Sequence, residues 1–324
     1  MKTNAKTNAK TSATTTDVTF RSAGLALAGH LHVPHTAPAD PLPAVVVGHP
    51  ASGVKEQAAD LYAGHLAARG FVVLTFDAAH QGESEGLPRG LEDPAQRVED
   101  LKAAVSFLST RPEADPERIG MLGICASGGY ATQAAATDQR VRALATVSGA
   151  DIGRQFRDGA DGGQDPAVVR QLLTAAAAAR TAEARGEGTG TFPIFPPTAE
   201  EARAAGGQHG FEGFEYYCTD RARHPRSAKE FTWSSVDRIV SFDPFRFIDL
   251  LAPRPLLMVV GTRAVTSYMS TEAFARAHGP KELYWIEGAS HVDLYDKPEY
   301  VGPAVERLTA FFADKLSADG PVAA

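Results

Sequence analysis

Residues 118–130 read Arg-Ile-Gly-Met-Leu-Gly-Ile-Cys-Ala-Ser-Gly-Gly-Tyr, and this segment constrains the fold more than any other. An apolar run, Ile119–Ile124, meets a small-residue stretch of helical character, Ser127–Ala136. A strand that turns into a helix within two residues leaves no room for large side chains at the crossing, so small residues flank a residue exposed at the apex: the nucleophile elbow. Gly123 fills the first small position; Ser127 stands at the second, followed by Gly128 and Gly129. Two registers fit, one with Cys125 at the apex and one with Ser127. Cys125 directly follows the last apolar strand residue, whereas Ser127 falls one step inside the helix, which favours Cys125. Taken alone, Cys125 would read as a small buried hydrophobe. In this setting a helix N-terminus and a nearby imidazole would draw its thiol towards thiolate.

The flanking chain supplies the rest of a layered architecture. Strand patterns occur at Val18–Phe20, Leu25–Val33, Ala44–Val47, Phe71–Phe76, Val141–Val147, Leu256–Val260 and Leu283–Ile286. Helical patterns occur at 57–69, closed by Gly70, at Ala95–Leu108 and at Gly302–Ala313. Strands alternating with helices imply βαβ units and a mostly parallel sheet, with antiparallel strands at the N-terminal edge. The alternation stops over 151–242, where an Ala-rich helix (Leu172–Arg185) precedes Gly/Pro-rich loops and an aromatic, basic stretch, Phe211–Trp233. So long an interruption predicts a mainly helical cap over the C-terminal edge of the sheet, where ligands of open α/β folds bind. The expected fold is α/β, of the α/β-hydrolase type. Its core would be formed by 17–150 and 243–314, between an N-terminal disordered tail (1–16) and a C-terminal tail (315–324).

The elbow needs partners. His291 lies in Gly288-Ala-Ser-His-Val-Asp-Leu-Tyr-Asp296, between the last strand and the last helix, where this fold carries its base. Two backbone N–H groups must face the developing oxyanion. Ala126 supplies one, and the loop His49-Pro-Ala-Ser-Gly53 the other, with Ala51 preferred over Ser52. The acid is less well marked. After Leu256–Val260 comes Gly-Thr-Arg-Ala-Val-Thr-Ser-Tyr, with no carboxylate before Glu272. Asp151 is the next geometric choice, with Asp293 and Asp77 as alternatives; a Cys–His dyad with no acid is also workable for a thiol.

Composition narrows the partners. The chain has 324 residues, 44% hydrophobic and 22% charged, and a net charge of −7, which disfavours a phosphate-binding surface and hence a nucleic-acid partner. Cys125 and Cys218 are its two cysteines, which suits a reducing, cytoplasmic setting better than a disulfide scaffold; Cys218 reads as structural. The N-terminus lacks the apolar stretch of a signal peptide, although its Lys- and Thr-rich, acid-free composition leaves a targeting peptide as a rival reading. No run has the length of a membrane span. Zinc-type spacing and a phosphate loop are both missing from the motifs, so no cofactor and no metal are expected. His80 and Gln81, after Phe71–Phe76, and Tyr217 in the cap are candidate substrate contacts beside Ser52, although His80 and Gln81 read more readily as turn residues. Tyr216, Tyr217 and Trp233 would more readily serve as the core of a small cap.

Several segments resemble α/β-hydrolases related to dienelactone hydrolases, in particular the branch with polyketide-associated thiohydrolases and polyketide transferases. They are His49-Pro-Ala-Ser-Gly-Val-Lys-Glu-Gln57, Phe76-Asp-Ala-Ala-His-Gln-Gly-Glu-Ser84, Leu91-Glu-Asp-Pro94, Gly123–Gly129, Val147-Ser-Gly-Ala-Asp151 and Gly288–Asp296. The resemblance spans about residues 17–314 and implies acyl hydrolysis or transfer on an ester, lactone or thioester, with Cys125 as nucleophile and His291 as base. Three functions follow as expectations: a hydrolase forming an acyl-Cys intermediate; an acyltransferase or cyclase of natural-product assembly; and a non-covalent catalyst or ligand binder lacking the full triad. The expected partner is a small acyl substrate, free or carrier-bound. A homodimer is compatible with the sequence.

Overall fold

A computed structural model describes residues 13–35 and 40–318. Eight strands form one sheet: β1 (Ala13–Ser22), β2 (Leu25–Pro34), β3 (Leu42–Gly48), β4 (Val72–Phe76), β5 (Ala114–Ile124), β6 (Val141–Val147) and, after an excursion that carries the two short strands β7 (Thr191–Pro193) and β8 (Glu230–Thr232), β9 (Leu256–Gly261) and β10 (Lys281–Ile286). Their order is β1-β2-β4-β3-β5-β6-β9-β10. β1 and β2 pair antiparallel with each other, and β2 pairs antiparallel with β4; all later pairings are parallel. Of the disordered tail expected over 1–16, residues 13–16 belong instead to β1, paired with Leu31–Pro34, and 1–12 lie outside the described residues. At the other end Lys315 closes the last helix rather than opening a tail, and 319–324 lie outside the described residues.

The central strands are apolar on both faces because helices cover both. On β3, Val45 and Val47 pack with Tyr62 and Leu66 of α1 (Ala58–Ala67) and Phe312 of α9 (Pro298–Lys315). Ala44 and Val46 face Leu101 and Val105 of α2 (Pro94–Leu108) and Ala131 of α3 (Ser127–Thr137). Such two-sided burial is what a parallel sheet requires. Asp93 accepts from the N–H groups of Ala95 and Gln96, with Pro94 at the first helical position, which caps α2.

Register then sets where chemistry can occur. Gly48 pairs with Gly123, Ile124 with Val147, and Val147 with Val259, so the C-terminal ends of β3, β5, β6 and β9 are nearly level. The loops that follow them converge on one edge.

Between β6 and β9 the chain leaves the sheet. It forms α4 (Ile152–Asp158), α5 (Pro166–Ala184), α6 (Ala199–Cys218), α7 (Val236–Val240) and the β7–β8 pair. This mainly helical cap has more regular structure than the expected loops after 185. α6 is broken at Gly206 and Gly207, the latter at φ +59°, so its second half starts afresh just before His209. α8 (Ser267–Arg276) follows β9. No helix among the described residues is long and apolar enough to cross a membrane.

Gly123 is where the sheet and α3 meet most closely: a Cβ there would sit 2.1 Å from the Ser127 carbonyl oxygen and 2.7 Å from the Gly128 nitrogen. Both obstacles are backbone and cannot swing aside. Gly123→Ala is expected to cost about 3 kcal/mol or more of unfolding free energy in a urea titration; a loss under about 0.5 kcal/mol would mean the turn is looser than described.

Candidate active site

Cys125 stands at the apex of the β5–α3 turn with φ +57°, a left-handed conformation that side chains other than glycine rarely adopt. Its backbone is tied down on both sides. The N–H donates to the Val147 carbonyl (3.0 Å), and the carbonyl accepts from Gly128 (2.8 Å) and Ala150 (2.9 Å). Ser127, the alternative register, is buried in the first turn of α3, and its hydroxyl donates to the His49 carbonyl at 2.5 Å. Cys125 as a residue is half-buried, while its thiol is enclosed and faces a different set of groups.

Two of those groups are the N–H groups of Ala126 and Ala51, which lie beside the sulfur. They converge because the loop after β3 is pinned from below. His49 donates Nδ1–H to the Pro50 carbonyl (2.7 Å), and its Nε2 accepts from the Ala78 N–H (3.2 Å) and Arg97 Nη1 (3.0 Å). Arg97 Nη2 also donates to the His49 carbonyl (2.8 Å) and to the Ser127 hydroxyl (3.3 Å), joining loop and elbow. Burial first, then the neighbouring Arg97, hold His49 well below the usual imidazole range, so it is neutral and able to accept. Ser52 is left-handed (φ +63°) and buried, and its carbonyl accepts from Ala228 of the cap (3.0 Å).

His291 is 1% exposed and makes two ring hydrogen bonds: Nδ1 with the Thr266 hydroxyl (2.5 Å) and Nε2 with the Tyr295 hydroxyl (3.0 Å). The Tyr295 hydroxyl also lies near the Cys125 sulfur. With Nδ1–H donating to Thr266, Nε2 keeps the lone pair that accepts from Tyr295. Ser148, left-handed just after β6, donates to the His291 carbonyl (2.9 Å) and fixes the loop.

None of the three carboxylates expected as acid reaches this imidazole. Asp151 is the N-cap of α4, accepting from the Arg154 N–H at 2.8 Å. A helix that starts directly after β6 claims that carboxylate for its own unpaired N–H groups. Asp293 accepts from the Ser290 N–H (3.1 Å) and pairs with Lys297 (2.6 Å). Asp77 is held by Lys55. The place beside Nδ1 belongs to Thr266, five residues after Gly261 ends β9. A search for acidic groups passes over a hydroxyl there, and Tyr295 was equally unmarked; its one sequence signal is a position four residues after His291.

Burial, then the ring of His209 at 4.9 Å, hold His291 well below the usual imidazole value. Burial pushes the Cys125 thiol up, against the pull of Tyr295 and the two N–H groups. Both shifts favour a neutral thiol and a neutral imidazole, against the pull towards thiolate expected at a helix N-terminus.

The cap closes over this centre from α6. Tyr216 packs edge-on against Tyr295 (5.1 Å), and Tyr217 stacks on Phe195 (5.1 Å). The buried Tyr217 hydroxyl has no hydrogen-bond partner among the described residues and faces Cys125 and Ser52. Trp233 packs on Phe192 in the β7–β8 unit, as cap core. His80 and Gln81, the candidate substrate contacts that read more readily as turn residues, hold their own loop: His80 bonds the Pro88 carbonyl (3.1 Å), and Gln81 donates to the Leu91 carbonyl (3.2 Å) and Glu92 (3.3 Å).

Two side-chain clusters have metal-ligating composition. In one, Asp60 is already shared by His30 (2.7 Å) and His32 (3.2 Å). In the other, the Lys55 ammonium sits among Glu56, Asp77 and Glu83, at 2.9, 3.0 and 2.7 Å. Neither includes a residue that touches Cys125.

A family model described as X-Pro dipeptidyl-peptidase (S15 family) matches residues 23–189. Protein PA2218 of Pseudomonas aeruginosa is 38% identical over 309 residues, covering 92% of this chain and 80% of that protein. Its crystal structure superposes with a TM-score of 0.86 at 35% identity, covering 94% of each chain. Thiohydrolase aneE of Aspergillus aculeatus is 29% identical over 91% of both chains. Acyltransferase drtE of Aspergillus calidoustus is 25% identical over 83% of this chain and 86% of its own. These relatives fit a hydrolase-type enzyme that hydrolyses or transfers acyl groups. The elbow, the level strand ends and the matched region together place the chain in the X-Pro dipeptidyl-peptidase S15 family of α/β-hydrolases, on the side of that fold that holds the polyketide-associated thiohydrolases and acyltransferases.

Proposed function

We propose that the protein is a thioesterase-type hydrolase that takes an acyl group onto Cys125 and releases it to water. The observation that carries this reading is the pair of N–H groups, Ala51 and Ala126, converging on a sulfur held at a left-handed apex. An acyl carbonyl attacked by that sulfur would place its developing negative charge between them, and one such donor is worth about 3 kcal/mol in the transition state.

The base selects the substrate. The Cys125 proton passes to His291, the sulfur forms a bond to the acyl carbon, and the tetrahedral oxyanion collapses with cleavage of the bond to the leaving group. The imidazolium returns its proton to that group. Water then attacks the acyl-Cys125, giving a proton to His291, and Cys125 leaves and is reprotonated. No carboxylate stabilises the imidazolium, since Thr266 holds Nδ1. A weak base of this kind suits acyl groups that are already activated, thioesters and aryl esters, better than peptide amides. Burial of the thiol beneath the aromatic residues of α6 supports transfer to an alcohol, amine or thiol acceptor as the second reading, because a water-poor site disfavours hydrolysis. Product analysis with and without an added acceptor separates the two.

Intact-mass spectrometry after mixing with phenyl thioacetate or p-nitrophenyl acetate is expected to show one acetyl group, mapped to Cys125. Cys125→Ala is expected to lose turnover of both by about 10³-fold or more. Full turnover by that variant would end the covalent reading.

The neutral resting pair has a pH signature. In a Cys218→Ala background, alkylation of Cys125 by iodoacetamide is expected to rise with pH and reach its midpoint above the ordinary cysteine value of about 8.5. The raised thiol of the folded site ionises only there. A rate already at its plateau at neutral pH would instead indicate a preformed thiolate–imidazolium pair. Because His291 is depressed, kcat/KM for p-nitrophenyl acetate is expected to hold level through pH ~6.5 and fall only in more acid solution; an acid limb at or above ~6.5 would contradict the burial described for this ring.

A further inference from the structure

We propose that His30, His32 and Asp60 form a binding site for a divalent transition-metal ion of the zinc type, which clips the antiparallel edge of the sheet to α1. The site shares no residue with the Cys125 centre. Strand geometry builds it. His30 and His32 stand two residues apart on β2, so both side chains leave the same face. The register sets Asp17 of β1 and Thr75 of β4 on either side of His30, and Thr15 of β1 beside His32. α1 packs on this face, and its first turn brings Asp60 down onto both imidazoles. Elsewhere the strands beneath α1 carry apolar residues, Val45, Val47 and Val73, so a polar cluster here departs from the packing pattern around it.

The donors are spaced for one ion. His30 Nδ1 lies 2.7 Å from one Asp60 oxygen and His32 Nε2 lies 3.2 Å from the other, and one ligand atom from each of the three residues falls within 4.8 Å of the rest. Zinc bound at about 2.1 Å from each donor holds tetrahedral ligands about 3.4 Å apart, so the His30–Asp60 pair has to part by about 0.7 Å. The His32 side chain is 6% exposed, whereas those of His30 and Asp60 are 16% and 20% exposed, which leaves an opening for a water as fourth ligand. Two imidazoles and a carboxylate suit zinc and its transition-metal neighbours, not magnesium or calcium.

Each ligand also has an outer partner, as metal-binding histidines require for a fixed ring and tautomer. His32 Nδ1 bonds the Thr15 hydroxyl (3.0 Å), His30 Nε2 lies 3.6 Å from the Asp17 carboxylate, and Thr75 donates to Asp60 (2.6 Å). Burial works against the Asp60 charge, but hydrogen bonds from His30, His32 and Thr75 hold its carboxyl down at about 2, so it is an anion at neutral pH. Lys55, whose charge also reaches His30, is balanced by Glu56, Asp77 and Glu83. On binding, His30 Nδ1 and His32 Nε2 turn lone pairs to the metal. Each ring keeps one proton on its outer nitrogen, facing Asp17 or Thr15, and any second proton leaves to solvent.

The test uses the full chain carrying Cys125→Ala and Cys218→Ala, so that zinc has no thiol to bind. Calorimetric titration with zinc chloride is expected to show one ion per chain, and zinc is expected to raise the melting temperature. Asp60→Asn keeps the shape and removes the charge, and Thr15→Val removes an exposed outer partner; each is expected to weaken zinc by about 10-fold or more and to shrink the thermal shift. In a crystal grown with equimolar zinc, the anomalous peak is expected within bonding distance of His30, His32 and Asp60. Absence of zinc uptake up to about 1 mM, or an affinity unchanged in Asp60→Asn, would overturn the site. If Asp60→Asn does not fold, the anomalous map decides: a peak between the three residues supports the site, and a peak elsewhere or none rejects it.

Discussion

The active centre depends on a backbone constraint: one non-glycine residue held in the left-handed region where β5 meets α3. Cys125 stays at φ +57° because the chain around it has no alternative. Gly123 lies too close to Ser127 and Gly128 for any side chain, and a Cβ on Gly128 would sit 2.6 Å from the Gly149 Cα beyond β6. Three backbone hydrogen bonds close the turn. Strain of this kind costs about 1–3 kcal/mol and persists only where the surroundings over-determine it. Here it lifts the sulfur clear of the sheet and turns it towards the loop after β3.

From that point the architecture is a matter of level strand ends and buried polar struts. Parallel register brings the loops after β3, β5, β6 and β9 to one edge, and the loop after β10 joins them through Ser148 and Thr266. Arg97 crosses from α2 to hold His49 and Ser127 together, with Glu92 and Tyr130 completing the network beneath. Each member is buried, so each polar atom must find a partner, and that requirement fixes the Ala51 N–H relative to the elbow. Burial, in contrast, favours the neutral forms of both the thiol and the imidazole. Such a site holds no stored ion pair; its power lies in donors arranged for charge that appears only during reaction.

How much of this is written in the sequence differs by level. The β-α alternation, the cap and the elbow were legible because periodicity and glycine placement follow from packing and sterics, which act over a few residues. Cys125, His291, Ala51 and Ala126 were named from the same local grammar, and the loops that carry them meet at one edge of the sheet. Asp151 was not separable from an orienting acid, since an aspartate after a strand serves a helix N-terminus equally well. Thr266 and Tyr295 were invisible for another reason. Neither has a residue type that advertises chemistry, and each matters only because a fold linking residues 125, 266, 291 and 295 aims its hydroxyl at a particular atom. The extent of β1 was misjudged because Thr14–Asp17 is polar and exposed and so lacks the apolar alternation that marks a strand.

The central claim is that an acyl group on the Cys125 sulfur places its carbonyl oxygen between two backbone donors. A crystal structure of the enzyme trapped as the acyl-Cys125 adduct in a variant too slow to release it, such as His291→Ala, measures this directly. The account predicts the carbonyl oxygen about 3 Å from both the Ala51 and the Ala126 nitrogen, with Ser127 unmodified and still bonded to His49. An adduct on any other residue, or a carbonyl turned away from both donors, would contradict it.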